Sequence, residues 1–260
     1  RSSDLDFSSQ GETASRNGEG DIGVDVAFLE RVRQSLAGVD TVAKSGRSAP
    51  PGHTVWYGGP TDNVVAPTRS AESASGVMPN STELPTMATE ENIVYVPVDG
   101  VDLEGDLRIP EDASGLVVFA HGSGSSRHSP RNNYVAEMLR DRGLGTFLFD
   151  LLTAEEDQYR ENRFDIPLLT DRLVTVTDWL EGYDATSGLT PGYFGSSTGA
   201  AAALRAAARR GSGVAAVVSR GGRVDMASEH LSDVRAATLF VVGGEDTDVL
   251  ELNREAFEAL

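Results

Sequence analysis

Hydrophobic and polar residues follow regular patterns from about residue 92 onward. Residues 93–98 and 101–109 alternate apolar and polar positions, as half-buried strands do, and the Asp99-Gly100 pair between them is typical of a hairpin turn. Continuous apolar runs follow, which are typical of strands buried on both faces of a sheet. The strands predicted after the hairpin are residues 116–120, 146–149, 193–194, 214–218 and 238–242.

Helical spacing of apolar residues fills the intervals between these strands. The predicted helices cover residues 131–142, 167–182, 200–210 and 249–260. Pro167 stands in the first turn of the second of them, where a missing N–H is tolerated. Alternation of strands and helices predicts the α/β class, with a mostly parallel sheet and an antiparallel leading hairpin.

Residues 1–90 differ from the rest of the chain in composition. They are rich in Ser, Gly, Pro and Thr, and their sparse apolar groups do not offset the entropy of ordering the chain. We predict a mostly irregular, linker-like region, with a short helix at residues 25–36 and a transient strand at Trp56-Tyr57. Residues 91–260 form the predicted α/β domain. Because the sequence stops inside an apparent helix, we expect this domain to lack its C-terminal end.

Acidic residues dominate the charge of the chain. There are 40 acidic and 22 basic residues, a formal charge of −18, and Lys44 is the only lysine. One interpretation is an ordinary solvated acidic surface, and the other, which the scarcity of lysine favours, is a halophilic protein. The absence of a basic stripe argues against a nucleic-acid partner. No apolar run reaches the length of about 18 residues that a membrane span needs, and no cysteine is present, so we expect a cytoplasmic protein.

A candidate nucleophile lies between a short apolar strand and an alanine-rich helix. Residues 195–199 (GSSTG) match the pattern G-x-S-x-G with Ser197 at its centre. That pattern marks the nucleophile elbow, a tight turn from strand to helix whose small neighbours allow close approach of the backbone. The alternative is an ordinary Gly-Ser loop. Ser196 is the competing serine, one residue before the motif position.

Residues 121–126 (HGSGSS), after the strand 116–120, are a candidate oxyanion loop. Acyl transfer needs preorganised N–H donors aimed at the developing oxyanion, and the predicted donors are the backbone N–H groups of Ser123 and Thr198. His121 is then structural. A dinucleotide-binding loop is disfavoured because Arg127 replaces the third glycine. A phosphate cradle of Arg127 and Arg131 also competes, unless these arginines pair with nearby acids.

The candidate triad acid is Asp246, just after the strand 238–242, where a carboxylate can orient a histidine. Asp248 and Asp225 are the runners-up. Asp246 or Asp248 could instead cap the helix that begins near Val249. A calcium loop is disfavoured, because the spacing of Asp246, Asp248 and Glu251 lacks the central glycine and the remaining ligands.

A serine nucleophile also needs a base, which in this chain order follows the acid. All four histidines precede Asp246, and they are His53, His121, His128 and His230. We therefore expect the catalytic histidine beyond residue 260 and little activity from this chain alone. A degenerate, non-catalytic hydrolase fold is the alternative.

Four segments together resemble the dienelactone-hydrolase-like α/β hydrolases. They are residues 119–132 (FAHGSGSSRHSPRN), 195–200 (GSSTGA), 219–223 (SRGGR) and 243–246 (GGED). The resemblance covers about residues 93–260 and implies an α/β-hydrolase fold and a cofactor-free hydrolase with a serine nucleophile. Well-known dienelactone hydrolases use cysteine, which this chain lacks, so their lactone substrate is not implied. Some members are fused to a phosphoribosyltransferase domain, but residues 1–90 lack an acidic pair leading into a phosphate loop.

The sequence therefore predicts a serine-dependent hydrolase of ester or related acyl bonds in a small-molecule substrate, with no metal or organic cofactor. A non-catalytic small-molecule-binding protein is the main alternative, and a Rossmann-like cofactor binder is the weaker one. The pattern does not indicate an oligomeric state.

Overall fold

The computed structural model describes residues 53–58 and 92–260. The helix predicted at residues 25–36 lies outside the described residues. Eight strands form one sheet in the order β1-β8-β7-β6-β4-β5-β3-β2. The strands are β1 (His53–Gly58), β2 (Ile93–Val98), β3 (Val101–Arg108), β4 (Leu116–Ala120), β5 (Gly145–Phe149), β6 (Pro191–Ser196), β7 (Ala216–Arg220) and β8 (Ala237–Gly243).

Helices alternate with the strands, and the predicted fold class is confirmed. The helices are α1 (Pro130–Arg140), α2 (Arg160–Phe164), α3 (Ile166–Gly182), α4 (Thr198–Arg210) and α5 (Thr247–Ala259). Strands β4 to β8 are parallel to one another, whereas β3 pairs antiparallel with both β2 and β5. The result is a mostly parallel sheet with the expected antiparallel leading hairpin.

Apolar runs predicted the buried strands but not all of their ends. Every residue of β4 and β5 is buried. β6 has six residues rather than the two predicted, and β7 lies two residues later than its apolar run suggested. The ends of a strand depend on its partners: β7 begins where Ala216 comes opposite Ala237 of β8, while Ala215 ahead of it donates its N–H to Pro191 O at 2.9 Å.

The strand β1 lies at the edge of the sheet, parallel to β8. Its register runs from His53 opposite Thr238 to Gly58 opposite Gly243. It contains the Trp56-Tyr57 pair for which the sequence suggested a transient strand. Pairing with the backbone of β8 accounts for this element, and such pairing leaves little trace in a segment poor in alternating apolar residues.

Two apolar clusters pack on opposite faces of the sheet. The larger contains residues of α3 and α4 together with β3, β4 and β5, and the smaller joins α1 to β4, β7 and β8. Four successive alanines, residues 200–203, are completely buried and let α4 approach the sheet closely. No helix in the described part of the chain is both long and apolar enough to cross a membrane.

Candidate active site

Ser197 occupies a strained turn between β6 and α4. Its backbone has φ 51° and ψ −122°, in the region of positive φ that residues with a side chain rarely adopt. Among the described non-glycine residues only Asp99, in the hairpin turn, shares a positive φ. Strain of this kind persists only where surrounding contacts enforce it, and it is concentrated at functional sites. The conformation is the one that the motif predicts for an elbow.

Glycines around the turn are required because backbone passes very close to them. A Cβ atom on Gly199 would lie 2.1 Å from the carbonyl oxygen of Ala120, and one on Gly195 would lie 2.5 Å from the Cα atom of Ala200. A Cβ on Gly122 would lie 2.8 Å from the Cβ of Ser197. These contacts explain in physical terms why G-x-S-x-G needs glycine at both ends.

The backbone of Ser197 is anchored to the loop after β7. Its N–H donates to Arg220 O at 3.4 Å, and its carbonyl oxygen accepts the N–H groups of Arg223 and Ala200, each at 3.1 Å. Ser197 is half-buried, whereas the competing Ser196 is buried at 8% exposure. Accessibility therefore favours Ser197 over Ser196 as the reactive hydroxyl.

The two predicted oxyanion donors lie side by side. The N–H of Ser123 donates to Thr198 Oγ1 at 3.0 Å, and Thr198 is the first residue of α4. The two predicted donor residues are thus brought together above the elbow. In this arrangement the N–H of Ser123 is engaged by the Thr198 hydroxyl, which has to yield before that N–H can receive an oxyanion.

His121 is held in one neutral tautomer. Its buried ring accepts the N–H of Leu151 at Nε2, at 3.1 Å, so Nδ1 carries the proton and donates to Gly122 O at 3.0 Å. The ring therefore ties the loop after β4 to the loop after β5. These contacts agree with a structural role for His121.

Arg127 pairs with two carboxylates. Its guanidinium contacts Asp150 and Glu104, and its backbone N–H donates to Asp150 Oδ1 at 2.8 Å. Of the two sequence interpretations of this residue, pairing with acids therefore holds. Arg131, in the first turn of α1, has no ion pair among the described residues.

Asp246 is exposed at the start of α5. Its Oδ1 accepts the N–H of Val249 at 3.4 Å, so it caps the helix, as one alternative proposed. The runner-up Asp248 is also exposed, in the first turn. Asp225 instead pairs with Arg223, whose guanidinium holds the pKa of this carboxyl below its usual range. The role of Asp246 as triad acid stays a prediction.

No histidine within residues 92–260 forms a hydrogen bond with the elbow hydroxyl. Among the hydrogen bonds of the described residues, none joins Ser197 Oγ to an imidazole. His128 is exposed on the oxyanion loop, His230 lies in the 3₁₀ segment Val224–Asp233, and His53 begins the edge strand β1. Within the same described ranges, no cluster of three or more His, Asp or Glu residues could hold a metal ion.

A small cleft, partly open to solvent, lies beside the oxyanion loop. The segment 151–164, whose sequence was too irregular to interpret, forms one wall with a 3₁₀ turn (Glu156–Gln158) and the short helix α2. The residues that line the cleft are His121, Gly122, Ser123, Gly124, Leu151, Leu152, Asp157, Arg163, Leu169 and Thr198. Arg163 is held there by Asp157, through the carboxylate at 2.9 Å and the backbone carbonyl. Sequence reasoning missed this pair because it depends on how the segment folds.

A buried arginine holds this wall in place. Arg172 of α3 is 4% exposed, donates to Val98 O at 2.9 Å, and pairs with Glu156 at 2.8 Å. Glu156 in turn accepts the N–H of Thr153 at 2.9 Å. Arg172 therefore connects the leading hairpin, α3 and the wall of the cleft.

Replacing Arg172 with methionine is expected to destabilise the fold. The change keeps the apolar stem but removes the ion pair of Glu156 and the guanidinium donor of the Val98 carbonyl, which we expect to cost about 3 kcal/mol of unfolding free energy. Urea unfolding followed by circular dichroism measures the change. The matched control is Arg209→Met, which removes the more exposed pair with Asp171 and should cost at most about 1 kcal/mol. Equal losses in the two variants would contradict the role given to Arg172.

Together, the mostly parallel sheet, the strained serine turn and the glycine-rich loop after β4 define an α/β hydrolase. A dienelactone hydrolase of Anabaena variabilis is 55% identical, with a TM-score of 0.63, and the match covers 65% of this chain and 80% of that one. This chain belongs to the dienelactone-hydrolase-like family of α/β hydrolases. An esterase of Pyrococcus furiosus, 16% identical, shares the fold with a TM-score of 0.51 over 69% of this chain and 84% of its own. No family profile matches the chain.

Two curated relatives are longer proteins. They come from two strains of Mycobacterium tuberculosis, and their names describe them provisionally as phosphoribosyl transferases. Each is 56% identical over 172 residues, which is 66% of this chain. The chain spans about 38% of the length of these relatives.

Proposed function

We propose that this domain hydrolyses ester or related acyl bonds of a small molecule with Ser197 as nucleophile. The observation that carries the proposal is the backbone of Ser197, held at φ 51° between β6 and α4. A strained, half-exposed serine at this point of an α/β hydrolase is positioned for attack on a carbonyl. The dienelactone hydrolase of Anabaena variabilis, at 55% identity, supports the same reaction class.

In the proposed first step, Ser197 Oγ attacks the carbonyl carbon and its proton passes to a base. The resulting oxyanion is stabilised by the Thr198 N–H, at the N terminus of the thirteen-residue helix α4, and by the Ser123 N–H once the Thr198 hydroxyl has turned away. The base then protonates the leaving alcohol, and an acyl-enzyme remains. Attack by water, assisted by the same base, releases the acid and restores Ser197. No step calls on a cofactor.

The proposed base is a histidine outside this chain, following Asp246 in chain order. His121 is unsuited to the role because both ring nitrogens are engaged by the Leu151 N–H and the Gly122 carbonyl. His53 begins β1, at the amino end of the parallel strands and so at the edge of the sheet opposite the elbow. Asp246 would orient the missing histidine and stabilise its charged form. A longer parent is in keeping with curated relatives of which this chain spans about 38%.

A binding protein with a hydrolase fold is the second candidate. The observation that favours it is the Ser123 N–H, which is already bonded to Thr198 Oγ1. In such a protein the cleft beside the loop binds a small molecule without catalysing a reaction. The two candidates differ in whether Ser197 reacts.

Labelling with a fluorophosphonate probe tests the proposal on the full-length parent. The probe phosphonylates only an activated serine, so we expect labelling of the wild-type protein and none of Ser197→Ala. Ser196→Ala is the matched control, because it removes a buried neighbouring hydroxyl and should keep the label. Labelling that survives Ser197→Ala would refute the nucleophile assignment, and an unlabelled parent would favour the binding protein.

A further inference from the structure

Arg220 is a partly buried arginine next to the elbow. It is the last residue of β7, stands opposite Ser196 in the register, and accepts the Ser197 N–H at its carbonyl oxygen. Its Nε atom is buried without a hydrogen-bond partner, and its guanidinium makes no ion pair with any carboxylate in the described part of the chain. A partly buried guanidinium without an anion is costly unless a partner arrives.

Other arginines also have a buried Nε atom without a hydrogen-bond partner, and most of them compensate their charge with an ion pair. In three of the four other cases, Arg127, Arg172 and Arg210, the Nη atoms pair with carboxylates, whereas Arg205 of α4 has no ion pair among the described residues. Arg220 has no such pair. It shares this lack of a carboxylate partner with Arg205 and differs from Arg205 in its position beside the nucleophile.

Arg131 is a second cation on the same side. Val218, two residues before Arg220, packs in one cluster with Val135 of α1, so the side chain of Arg220 also points to the α1 face. The loop after β4 enters α1 at the edge where β7 ends, because the two strands run parallel. This places Arg131, in the first turn of α1, at the same edge as Arg220.

The positive charges of Arg131 and Arg220 act on each other. Burial lowers the pKa of Arg220, and the positive charge of Arg131 lowers this pKa further. The N terminus of α1, an eleven-residue helix capped by Ser129, adds partial positive charge to the same edge. No acid of the described residues offsets this charge at Arg220.

We propose that Arg220, Arg131 and the N terminus of α1 form a subsite for a phosphoryl group of the substrate beside Ser197. Guanidinium groups match the oxygen geometry of phosphate, and a dianion balances two arginines better than a single carboxylate does. The substrate class is therefore a phosphorylated ester or acyl compound. Its use in catalysis rests on the proposed hydrolase function, whereas binding of the anion does not.

Calorimetric titration with inorganic phosphate at constant ionic strength tests the subsite without any turnover. We expect Arg220→Gln and Arg131→Gln each to weaken phosphate binding by about tenfold or more, which is about 1.4 kcal/mol. Arg209→Gln is the matched control, because it removes an equal charge from an exposed arginine paired with Asp171 and should bind phosphate as the wild type does. Ser197→Ala should also retain binding, so a failed hydrolase proposal would leave this result intact.

Two further measurements separate the subsite from a general effect of charge or folding. Arg131 is exposed, so Arg131→Gln keeps the fold, and circular dichroism without phosphate confirms folding of each variant. Acetate, titrated in the same way, should bind at least about tenfold more weakly than phosphate. Phosphate affinity equal in Arg131→Gln, Arg220→Gln and Arg209→Gln would overturn the subsite, and acetate binding as tight as phosphate would overturn its phosphoryl preference.

Discussion

Ser197→Ala is expected to abolish the esterase activity that we propose for the full-length parent. Steady-state hydrolysis of p-nitrophenyl acetate should fall in kcat/KM by about 10³-fold or more, because the acyl-enzyme no longer forms. The residual rate comes from the oxyanion donors and from substrate positioning, which the change leaves in place. The fold should tolerate alanine, since the Cβ atom remains and the strained backbone is held by its bonds to the loop after β7.

Ser196→Ala is the control for this loss. Ser196 lies one residue earlier, is buried within β6, and should leave most of the turnover intact. The present chain, tested alone, should show little turnover above its own Ser197→Ala variant because we place the base outside it. Efficient turnover by this chain that depends on Ser197 would contradict that placement, and would assign the base to one of its own histidines.

Gly199→Ala is expected to have the largest effect on stability. Alanine within a helix usually stabilises by up to about 1 kcal/mol relative to glycine. Here the new Cβ would stand 2.1 Å from Ala120 O and 2.5 Å from His121 O, both backbone atoms that cannot turn aside. Overpacking of this kind costs about 3 kcal/mol, so the clash outweighs the gain in propensity. Urea unfolding followed by circular dichroism measures the loss.

Gly182→Ala serves as the matched control. It is the last residue of α3, and an added Cβ would meet nothing within 4 Å. We expect its free energy of unfolding to stay within about 0.5 kcal/mol of the wild type. If Gly199→Ala were as stable as this control, the close packing of α4 against the end of β4 would be disproved.

The periodicity of apolar residues in the sequence was sufficient to predict most of the fold. Strands buried on both faces, such as β4 and β5, carry a continuous apolar run that solvent exposure would not permit. The elbow could also be predicted from the sequence, because G-x-S-x-G encodes a steric requirement that acts within a few residues of Ser197. Local rules of this kind can be inferred without knowing what packs against the segment.

The roles of charged and polar side chains depended on contacts between distant segments. Arg127 could be interpreted as a phosphate ligand or as a paired cation until Glu104, on β3, and Asp150, after β5, were found beside it. The wall formed by residues 151–164 could not be predicted from the sequence. It is held in place by Arg172, on another helix, rather than by an apolar pattern of its own. Such pairs leave no periodic trace in the sequence.

The sequence by itself therefore determined the α/β class, the parallel sheet with its leading hairpin, and the position of Ser197 in a strand-to-helix turn. Only the tertiary structure decided that the Ser123 N–H bonds to Thr198, that β1 pairs with β8, and that no carboxylate of the described residues pairs with Arg220. The physical reason is the distance along the chain over which each kind of interaction acts. Burial and backbone sterics act over a few neighbouring residues, whereas hydrogen bonds and ion pairs are satisfied by whichever groups the fold brings together.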